Sequence, residues 1–155
     1  MFIGIDLGTS GVKAILLDRR DQVLASASQP LSLLPQASHN TLWREQDPAD
    51  WWRACEQALT DLLLAAKEMG IAGGAIEAIG LTGQMHGATV LDDQGQVLRP
   101  AILWNDGRSF VECSELEQRV PAARKITGNL MMPGFTAPKL LWLARHEPQV
   151  FAQVA

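Results

Sequence analysis

Short apolar runs and short polar turns alternate over the first thirty residues of the chain. Residues 2–5 are apolar and partly β-branched, residues 12–17 form a second such run, and residues 23–27 form a third. Small residues at positions 8–11 separate the first two runs, and polar residues at positions 18–21 separate the last two. Because tight polar turns join neighbouring antiparallel strands, this pattern predicts an antiparallel meander of three strands.

A three- and four-residue apolar spacing predicts a long helix from Pro48 to Met69. Asp47 suits the N-cap, Pro48 suits the first helical position, and Asp50 favours the helix N-terminus electrostatically. Gly70 is a typical residue just beyond a helix. The stripe that we expect to be buried consists of Trp51, Trp52, Cys55, Ala58, Leu59, Leu62, Ala65, Ala66 and Met69.

Turns separate short strands and helices in the rest of the chain. A polar turn at residues 92–95 predicts a hairpin between 88–91 and 97–104. Ser109 and Glu112 have the spacing of a capping box, which predicts a helix that Pro121 closes. The other expected segments are a surface loop at 30–46 with a polar stretch at 36–40, a strand at 76–81, a loop at 127–134, a helix at 138–145 that Pro148 stops, and a last stretch at 151–155 resembling the middle of a helix.

Composition places the chain among ordinary globular domains. It has 155 residues, of which 47% are hydrophobic and 19% charged, and its net charge is -4. This balance excludes intrinsic disorder. The net negative charge provides no positive potential that would attract nucleic acid or an anionic membrane. Apolar runs are far shorter than the ~20 residues that a membrane span needs. The N-terminus lacks the charged and apolar regions of a signal peptide.

The cysteines and histidines of the chain do not suggest a metal or disulfide scaffold. Cys55 and Cys113 lie far apart in the sequence, and the three histidines do not lie near them at metal-ligand spacing. The absence of a disulfide pattern fits a reducing cytosol. We therefore expect a cytoplasmic α/β domain, or a piece of one.

The segment of residues 3–13 carries the clearest candidate chemistry. Asp6 lies at the end of an apolar strand, small residues follow in a turn, and Lys13 lies in the next strand. Phosphate oxygens need backbone N–H groups and hydroxyl donors, here Thr9 and Ser10, and a nearby carboxylate can hold Mg²⁺ directly or through water. A plain hairpin in which Asp6 caps its own turn has the same residues, and spacing alone does not choose between the two interpretations. Neither GxxxxGK[ST] nor GxGxxG occurs, so any nucleotide chemistry must use the hairpin.

Residues 80–87 form a glycine-rich turn after a predicted strand. Gln84 and His86 could face a cleft, and a neutral imidazole can donate or accept a hydrogen bond with a sugar hydroxyl. Taken alone, the segment is more typical of a tight turn with a solvent-facing histidine.

Residues 103–108 lie where a strand leads into a helix. Trp104 offers an apolar wall for sugar C–H groups, and Asn105, Asp106 and Arg108 offer directional hydrogen bonds. Without context, the favoured interpretation places Trp104 in the core, Asp106 in the turn and Arg108 in a surface ion pair.

In this order, these segments resemble the FGGY family of carbohydrate kinases, and within it the bacterial xylulokinases. The residues that carry the resemblance are 2–13, 45–48 with Trp51 and Trp52, 83–87, 99–108, 127–129 and 135–142. The hairpin alone indicates only the wider superfamily of actin, Hsp70 and sugar kinases. Residues 84–87 narrow the resemblance to xylulokinases, because glycerol kinases carry an Arg-Glu pair in that place.

The resemblance implies an α/β, ribonuclease H-like (actin-like ATPase) N-terminal domain, incomplete here, with an antiparallel meander followed by helices. Such a kinase transfers the γ-phosphoryl group of ATP to D-xylulose with Mg²⁺, and the resemblance allows a homodimer of the full-length protein. By family pattern, Asp6 lies near the metal and counts as a catalytic residue. The implied sugar contacts are Met85 and His86, with Gln84, Trp104 and Asp106 beside them, and the implied phosphate contacts are Thr9, Ser10 and Lys13.

The chain departs from the family pattern in its length. Residues 1–155 correspond to the N-terminal part of the first, sugar-binding domain, and the second domain is absent. The family's catalytic base, an aspartate at the start of that domain, has no counterpart here. We therefore expect the chain alone to be inactive. The alternatives are a kinase for another ketose or polyol, and a non-catalytic actin-like module that binds sugar or nucleotide.

Overall fold

The computed structural model describes residues 1–35 and 41–155, so the predicted polar stretch at 36–40 lies outside the described residues. The chain divides into two compact units, the first comprising Met1–Ser32 with Ala49–Gln84 and the second comprising Leu33–Pro48 with Met85–Ala155. In chain order the elements are β1 (Phe2–Leu7), β2 (Gly11–Leu17), β3 (Val23–Pro30), β4 (Glu45–Gln46), α1 (Pro48–Glu68), β5 (Ala78–Gly83), β6 (Ala101–Ile102), α2 (Phe110–Arg119), α3 (Ala123–Thr127), α4 (Thr136–His146) and α5 (Pro148–Phe151).

The first unit contains a four-stranded sheet in the order β3-β2-β1-β5. β1 pairs antiparallel with β2, and β2 pairs antiparallel with β3, which confirms the predicted meander. The strand predicted at residues 76–81 is present two residues later, as β5, and it pairs parallel with β1. The carboxyl ends of β1 and β5 therefore lie side by side, with Asp6 opposite Thr82.

Helix α1 packs on one face of this sheet through a stripe at four-residue spacing. The core joins its residues Ala54, Ala58, Leu62 and Ala66 to alternate positions of β1 and β2, such as Ile5 and Val12. The predicted extent of the helix is confirmed within one residue, but the predicted stripe is partly wrong. Side chains at both ends of that stripe are exposed, with Trp52 at 67% and Met69 at 48%. The predicted residues Ala58, Leu62 and Ala66 are buried as expected, and Ala54 joins them. The three alanines of this stripe let the helix approach the sheet closely.

The second unit contains short strands and helices α2 to α5. β4 pairs antiparallel with β6, and Trp142 and Leu143 of α4 lie in a core with Ala88, Val90 and Ile102. The predicted hairpin around residues 92–95 is present as two isolated bridges, Ala88 to Ile102 and Leu91 to Val97, rather than as two full strands.

The predicted capping box at the start of α2 is wrong. The Ser109 hydroxyl makes no capping bond and donates instead to the Pro133 carbonyl at 3.3 Å. Glu112 is buried and accepts from Arg145 at 2.9 Å. A contact to another helix thus replaces the local cap, while the helix itself is present and ends two residues before Pro121.

Three boundaries near the C-terminus differ from the prediction. Residues 123–127 form α3 within and before the expected loop, and α4 begins two residues earlier than predicted. Pro148 follows the end of α4 as expected, but it also occupies the first turn of α5. α5 ends at Phe151, so residues 152–155 do not continue a helix. Among residues 1–35 and 41–155, no helix has the length and apolarity of a membrane span.

Candidate functional site

The turn between β1 and β2 brings backbone groups together at the end of the sheet. The Gly8 N–H donates to the Gly11 carbonyl at 3.0 Å, and the Ser10 carbonyl accepts from the Leu31 N–H at 3.0 Å. A Cβ at Gly11 would lie 2.6 Å from the Gln29 carbonyl oxygen, so glycine is required where the turn meets β3. The small residues of this turn therefore allow close backbone packing, whether or not the turn also binds a ligand.

Asp6 and Lys13 face each other across β1 and β2, on the sheet surface that α1 does not cover. Both side chains are exposed. They line a groove of about 360 Å³ together with Gly4, Ile5, Ile15, Gly80, Leu81 and Thr82. Since an exposed carboxylate beside an exposed ammonium suits charged ligands, the geometry agrees with the predicted use of both residues, which stays a prediction.

Thr9 and Gln84 are in direct contact, which the sequence did not indicate. The Thr9 hydroxyl donates to the Gln84 side-chain carbonyl at 3.0 Å, and the Gln84 N–H donates to the Leu7 carbonyl at 2.9 Å. Gln84 was predicted beside the sugar and Thr9 beside phosphate. The structure joins the two at the tip of the hairpin, in the first unit.

A separate cavity of about 370 Å³ lies in the second unit. Three predicted sugar-site residues line it, namely His86, Trp104 and Asp106. The rings of His86 and Phe135 meet edge to face, with their centroids 4.8 Å apart. The remaining lining residues are Asn105, Gly107, Met132, Pro133 and Gly134. The structure thus brings an imidazole, an indole and a phenyl ring to one cavity.

Trp104 presents its ring to this cavity from a tightly packed loop. Its side chain is 48% exposed, which contradicts the interpretation of Trp104 as a core residue. A Cβ at Gly134 would lie 2.6 Å from the Trp104 carbonyl oxygen. The loop that contains Gly134 therefore approaches the Trp104 backbone closely, and any larger residue there would push the two walls apart.

Asp106 lines the cavity, and both of its carboxylate oxygens already accept hydrogen bonds. One oxygen accepts from the backbone N–H and Nε of Arg108, both at 2.9 Å, and the other accepts from the Arg44 N–H at 2.5 Å. This confirms the alternative in which Asp106 belongs to the turn. The Arg108 side chain is 1% exposed and lies 3.9 Å from the Trp43 ring centroid, so the expected surface ion pair is wrong.

Two other predicted sugar contacts do not line this cavity. Met85 is 68% exposed and is not among the lining residues, although it directly precedes His86. Gln84 lies in the first unit, directly after β5, where it contacts Thr9 of the hairpin. Their roles in sugar binding stay predictions.

The His86 backbone has an uncommon conformation that other residues support. Its φ angle is 61°, in the left-handed region, which costs roughly 1 kcal/mol for a residue with a Cβ. Its carbonyl accepts from Lys139 Nζ at 2.8 Å and from the Thr136 hydroxyl at 3.3 Å. Lys139 Nζ also donates to the Gly134 carbonyl at 2.7 Å. One buried ammonium thus joins two walls of the cavity.

Burial lowers the pKa of Lys139 to about 8 from 10.5, since the low-dielectric surroundings disfavour the ammonium ion. Asp106 raises this pKa and Arg108 lowers it, by smaller amounts. Sequence patterning gave no signal for this residue, because a lysine in a helix usually faces solvent.

A pH-dependent difference in stability between the wild type and Lys139→Met is expected. Between pH 8 and pH 10.5 the unfolded chain binds a proton at Lys139 that the folded chain does not bind. The free energy of unfolding of the wild type should therefore rise with pH in this window, by up to about 3 kcal/mol relative to Lys139→Met. Thermal melting of both proteins at pH 7 and pH 10 measures this difference. A gap in melting temperature that does not change with pH would contradict the burial of a charged amine.

Comparison with known proteins identifies the family to which this chain belongs. The N-terminal domain of the FGGY family of carbohydrate kinases matches residues 1–155, and the chain belongs to this family. It is 54% identical to the xylulose kinase of Escherichia coli (strain K12) and 55% identical to that of Klebsiella pneumoniae, over 99% of this chain and 30% of each relative. The chain therefore spans about 30% of the length of these relatives.

Solved structures agree with this assignment. The structure of xylulose kinase from Rhodospirillum rubrum superimposes with a TM-score of 0.86 at 36% identity, over 99% of this chain and 30% of that one. The sheet has three antiparallel strands, and a fourth strand pairs parallel with the first. This is the α/β, ribonuclease H-like architecture predicted from the sequence. Both the family resemblance and the fold class are confirmed.

Proposed function

We propose that this chain is the N-terminal portion of an ATP-dependent xylulose kinase that forms D-xylulose 5-phosphate in xylose catabolism. The observation that carries the proposal is the cavity joining His86, Trp104 and Phe135. The 54% identity to a xylulose kinase across 99% of the chain supports the choice of substrate. We assign residues 1–155 to the first, sugar-binding domain, with the second domain in the remaining two-thirds of the longer protein.

The cavity has the chemistry of a sugar site. The exposed imidazole of His86 can exchange hydrogen bonds with a ketose hydroxyl, and Trp104 and Phe135 offer apolar surface to C–H groups. We assign Asp106 to positioning, because Arg44 and Arg108 already satisfy its oxygens. Met85 is proposed to contact the sugar from beside His86, outside the described cavity.

The hairpin of the first unit fits the phosphate and metal side of the reaction. Asp6 is exposed and lies at a strand end beside the turn, so its carboxylate is free to hold Mg²⁺ through water. Among the described residues, no group of three acidic, histidine or cysteine side chains could hold the ion alone. Thr9, Ser10 and Lys13 are proposed to face the phosphates. When bound, Mg²⁺ would neutralise charge on the phosphate oxygens.

Phosphoryl transfer forms a bond between a sugar hydroxyl oxygen and the γ-phosphorus and breaks the bond from that phosphorus to ADP. The proton of the hydroxyl must leave to a base. By family resemblance, this base is an aspartate of the second domain, outside residues 1–155. The residues of this chain would orient the sugar and support the phosphates, and positioning supplies most of the catalysis in this reaction class.

The test is a substrate panel on the full-length protein encoded by the reading frame that contains this chain. ADP release is followed with D-xylulose, D-ribulose, gluconate and glycerol, and D-xylulose should give the highest kcat/KM. A higher value for another sugar would support the alternative of a different ketose or polyol kinase. Sugar or nucleotide binding without any ADP release would support the non-catalytic module. A homodimer and a cytoplasmic location stay predictions.

His86→Ala in the full-length protein should raise the KM for D-xylulose on the order of tenfold or more. The reason is the loss of hydrogen bonds to the sugar, each worth roughly a factor of ten. The KM for ATP should change little. His86→Asn is the matched variant, because asparagine tolerates the left-handed backbone but lacks the imidazole. Equal losses toward both substrates would instead indicate a structural role.

A further inference from the structure

Lys139 is a buried charged residue that the proposed reaction does not use. Its side chain is fully buried in α4, and its ammonium group donates to the carbonyls of His86 and Gly134. These two carbonyls belong to different walls of the cavity, one from the turn after β5 and one from the loop before α4. Thr136, three residues earlier on the same helix face, donates to the same His86 carbonyl.

We propose that Lys139 is a positioning residue for sugar recognition, which holds the His86 turn against the 132–135 loop without touching the sugar. The inference rests on the proposed function of the cavity. Lys139 acts on the backbone of His86, and the imidazole then makes the sugar contact.

Three observations support this role. The His86 backbone lies in the left-handed region, so it needs support from its surroundings to persist. Two hydrogen bonds from one ammonium fix the separation of two loops that no described strand pair joins. The His86 and Phe135 rings meet at 4.8 Å, and this contact depends on the same separation.

Burial also argues against a merely stabilising role for Lys139. An ammonium taken out of water is unfavourable unless its hydrogen bonds offset the desolvation. An apolar residue of similar length could fill this space without that penalty. The hydrogen bonds that the Lys139 ammonium makes to the two loops therefore explain its presence better than a gain in stability does.

The experiment compares Lys139→Met with Lys125→Met in the full-length protein. Lys125 is exposed on α3 in the same unit, so the control makes the same chemical change away from the cavity. Lys139→Met should raise the KM for D-xylulose by on the order of tenfold or more, because small misplacement of a binding group is costly. The KM for ATP should change less than twofold, and Lys125→Met should behave as the wild type.

Hydrogen–deuterium exchange gives a readout that does not depend on kinase activity. In Lys139→Met, amides in residues 84–88 and 132–136 should exchange about tenfold faster, while those of α1 keep their wild-type rates. Thr136→Val is a milder variant that removes the weaker donor to His86. It should raise the sugar KM about twofold to threefold and keeps the proposal testable even if Lys139→Met does not fold.

The outcomes separate this inference from the proposed function. If the wild-type protein does not phosphorylate D-xylulose, the proposed function is overturned. The exchange experiment then still tests whether Lys139 holds the two loops together. An active wild type whose Lys139→Met variant matches Lys125→Met in both readouts overturns the inference. Equal increases in both KM values, or faster exchange throughout the chain, would show a global structural role and would also overturn it. If Lys139→Met does not fold, unchanged sugar KM and exchange rates in Thr136→Val overturn it.

Discussion

Asp6→Asn in the full-length protein is expected to lower kcat by a factor on the order of 10² or more. Such a loss is typical when a metal or transition-state charge partner is removed. Asp6 is exposed near the end of β1, beside the hairpin turn that we propose faces the phosphates, and on the sheet surface away from α1. Because the side chain is outside the core, the melting temperature should hardly change. Steady-state kinetics with D-xylulose and ATP, together with thermal melting, measure both effects.

Asp21→Asn is the matched control for this variant. Asp21 is exposed in the turn between β2 and β3, at the other end of the same sheet, and asparagine tolerates its φ angle of 60°. Its kcat should equal that of the wild type. Normal turnover by Asp6→Asn, or an equal loss in both variants, would refute the assignment of Asp6 to the metal and phosphate site.

The isolated 155-residue chain is expected to show no ATP-dependent phosphorylation of D-xylulose. The reaction needs a base to accept the hydroxyl proton, and the proposed function assigns this base to a second domain outside residues 1–155. A coupled ADP-release assay, in a preparation free of host kinase, measures this. Turnover above background would contradict the expectation and would require a base within these residues, with Asp6 and Asp106 the first to test.

The same isolated chain is expected to be poorly stable or to self-associate. β5 is the last strand of the sheet order within the described residues, and all of its residues are exposed, with Leu81 at 78% and Ile79 at 55%. Unpaired strand edges with apolar side chains promote association. Leu81→Lys should shift the chain toward monomer in size-exclusion chromatography, because edge lysines disfavour strand pairing. A wild-type monomer with a sharp cooperative melt would refute this expectation.

Local patterns in the sequence were enough to predict the meander and α1. Short apolar runs separated by polar turns specify β1, β2 and β3, because each of these strands pairs with the strand next to it in the sequence. The parallel pairing of β5 with β1 joins residues more than seventy positions apart, which local patterns do not encode. The stripe of α1 was misjudged at Trp52, because an apolar side chain at helical spacing need not face the core.

The candidate site was only partly predictable for the same reason. Residue chemistry and the family resemblance indicated His86 and Trp104, and the structure places both at one cavity. Phe135 and Lys139 were missed, since their roles come from contacts between the turn after β5 and the start of α4. The family resemblance assigned Asp106 to the sugar, whereas the residues alone favoured a place in the turn, and its hydrogen bonds agree with the turn.

A crystal structure of the full-length protein with D-xylulose would show directly where the sugar binds. We expect the sugar in the cavity of the second unit, with a hydroxyl within hydrogen-bond distance of the His86 imidazole and carbon atoms against Trp104. Lys139 should still donate to the carbonyls of His86 and Gly134, without touching the sugar. D-xylulose bound elsewhere, with this cavity empty, would refute the assignment of this cavity to the sugar.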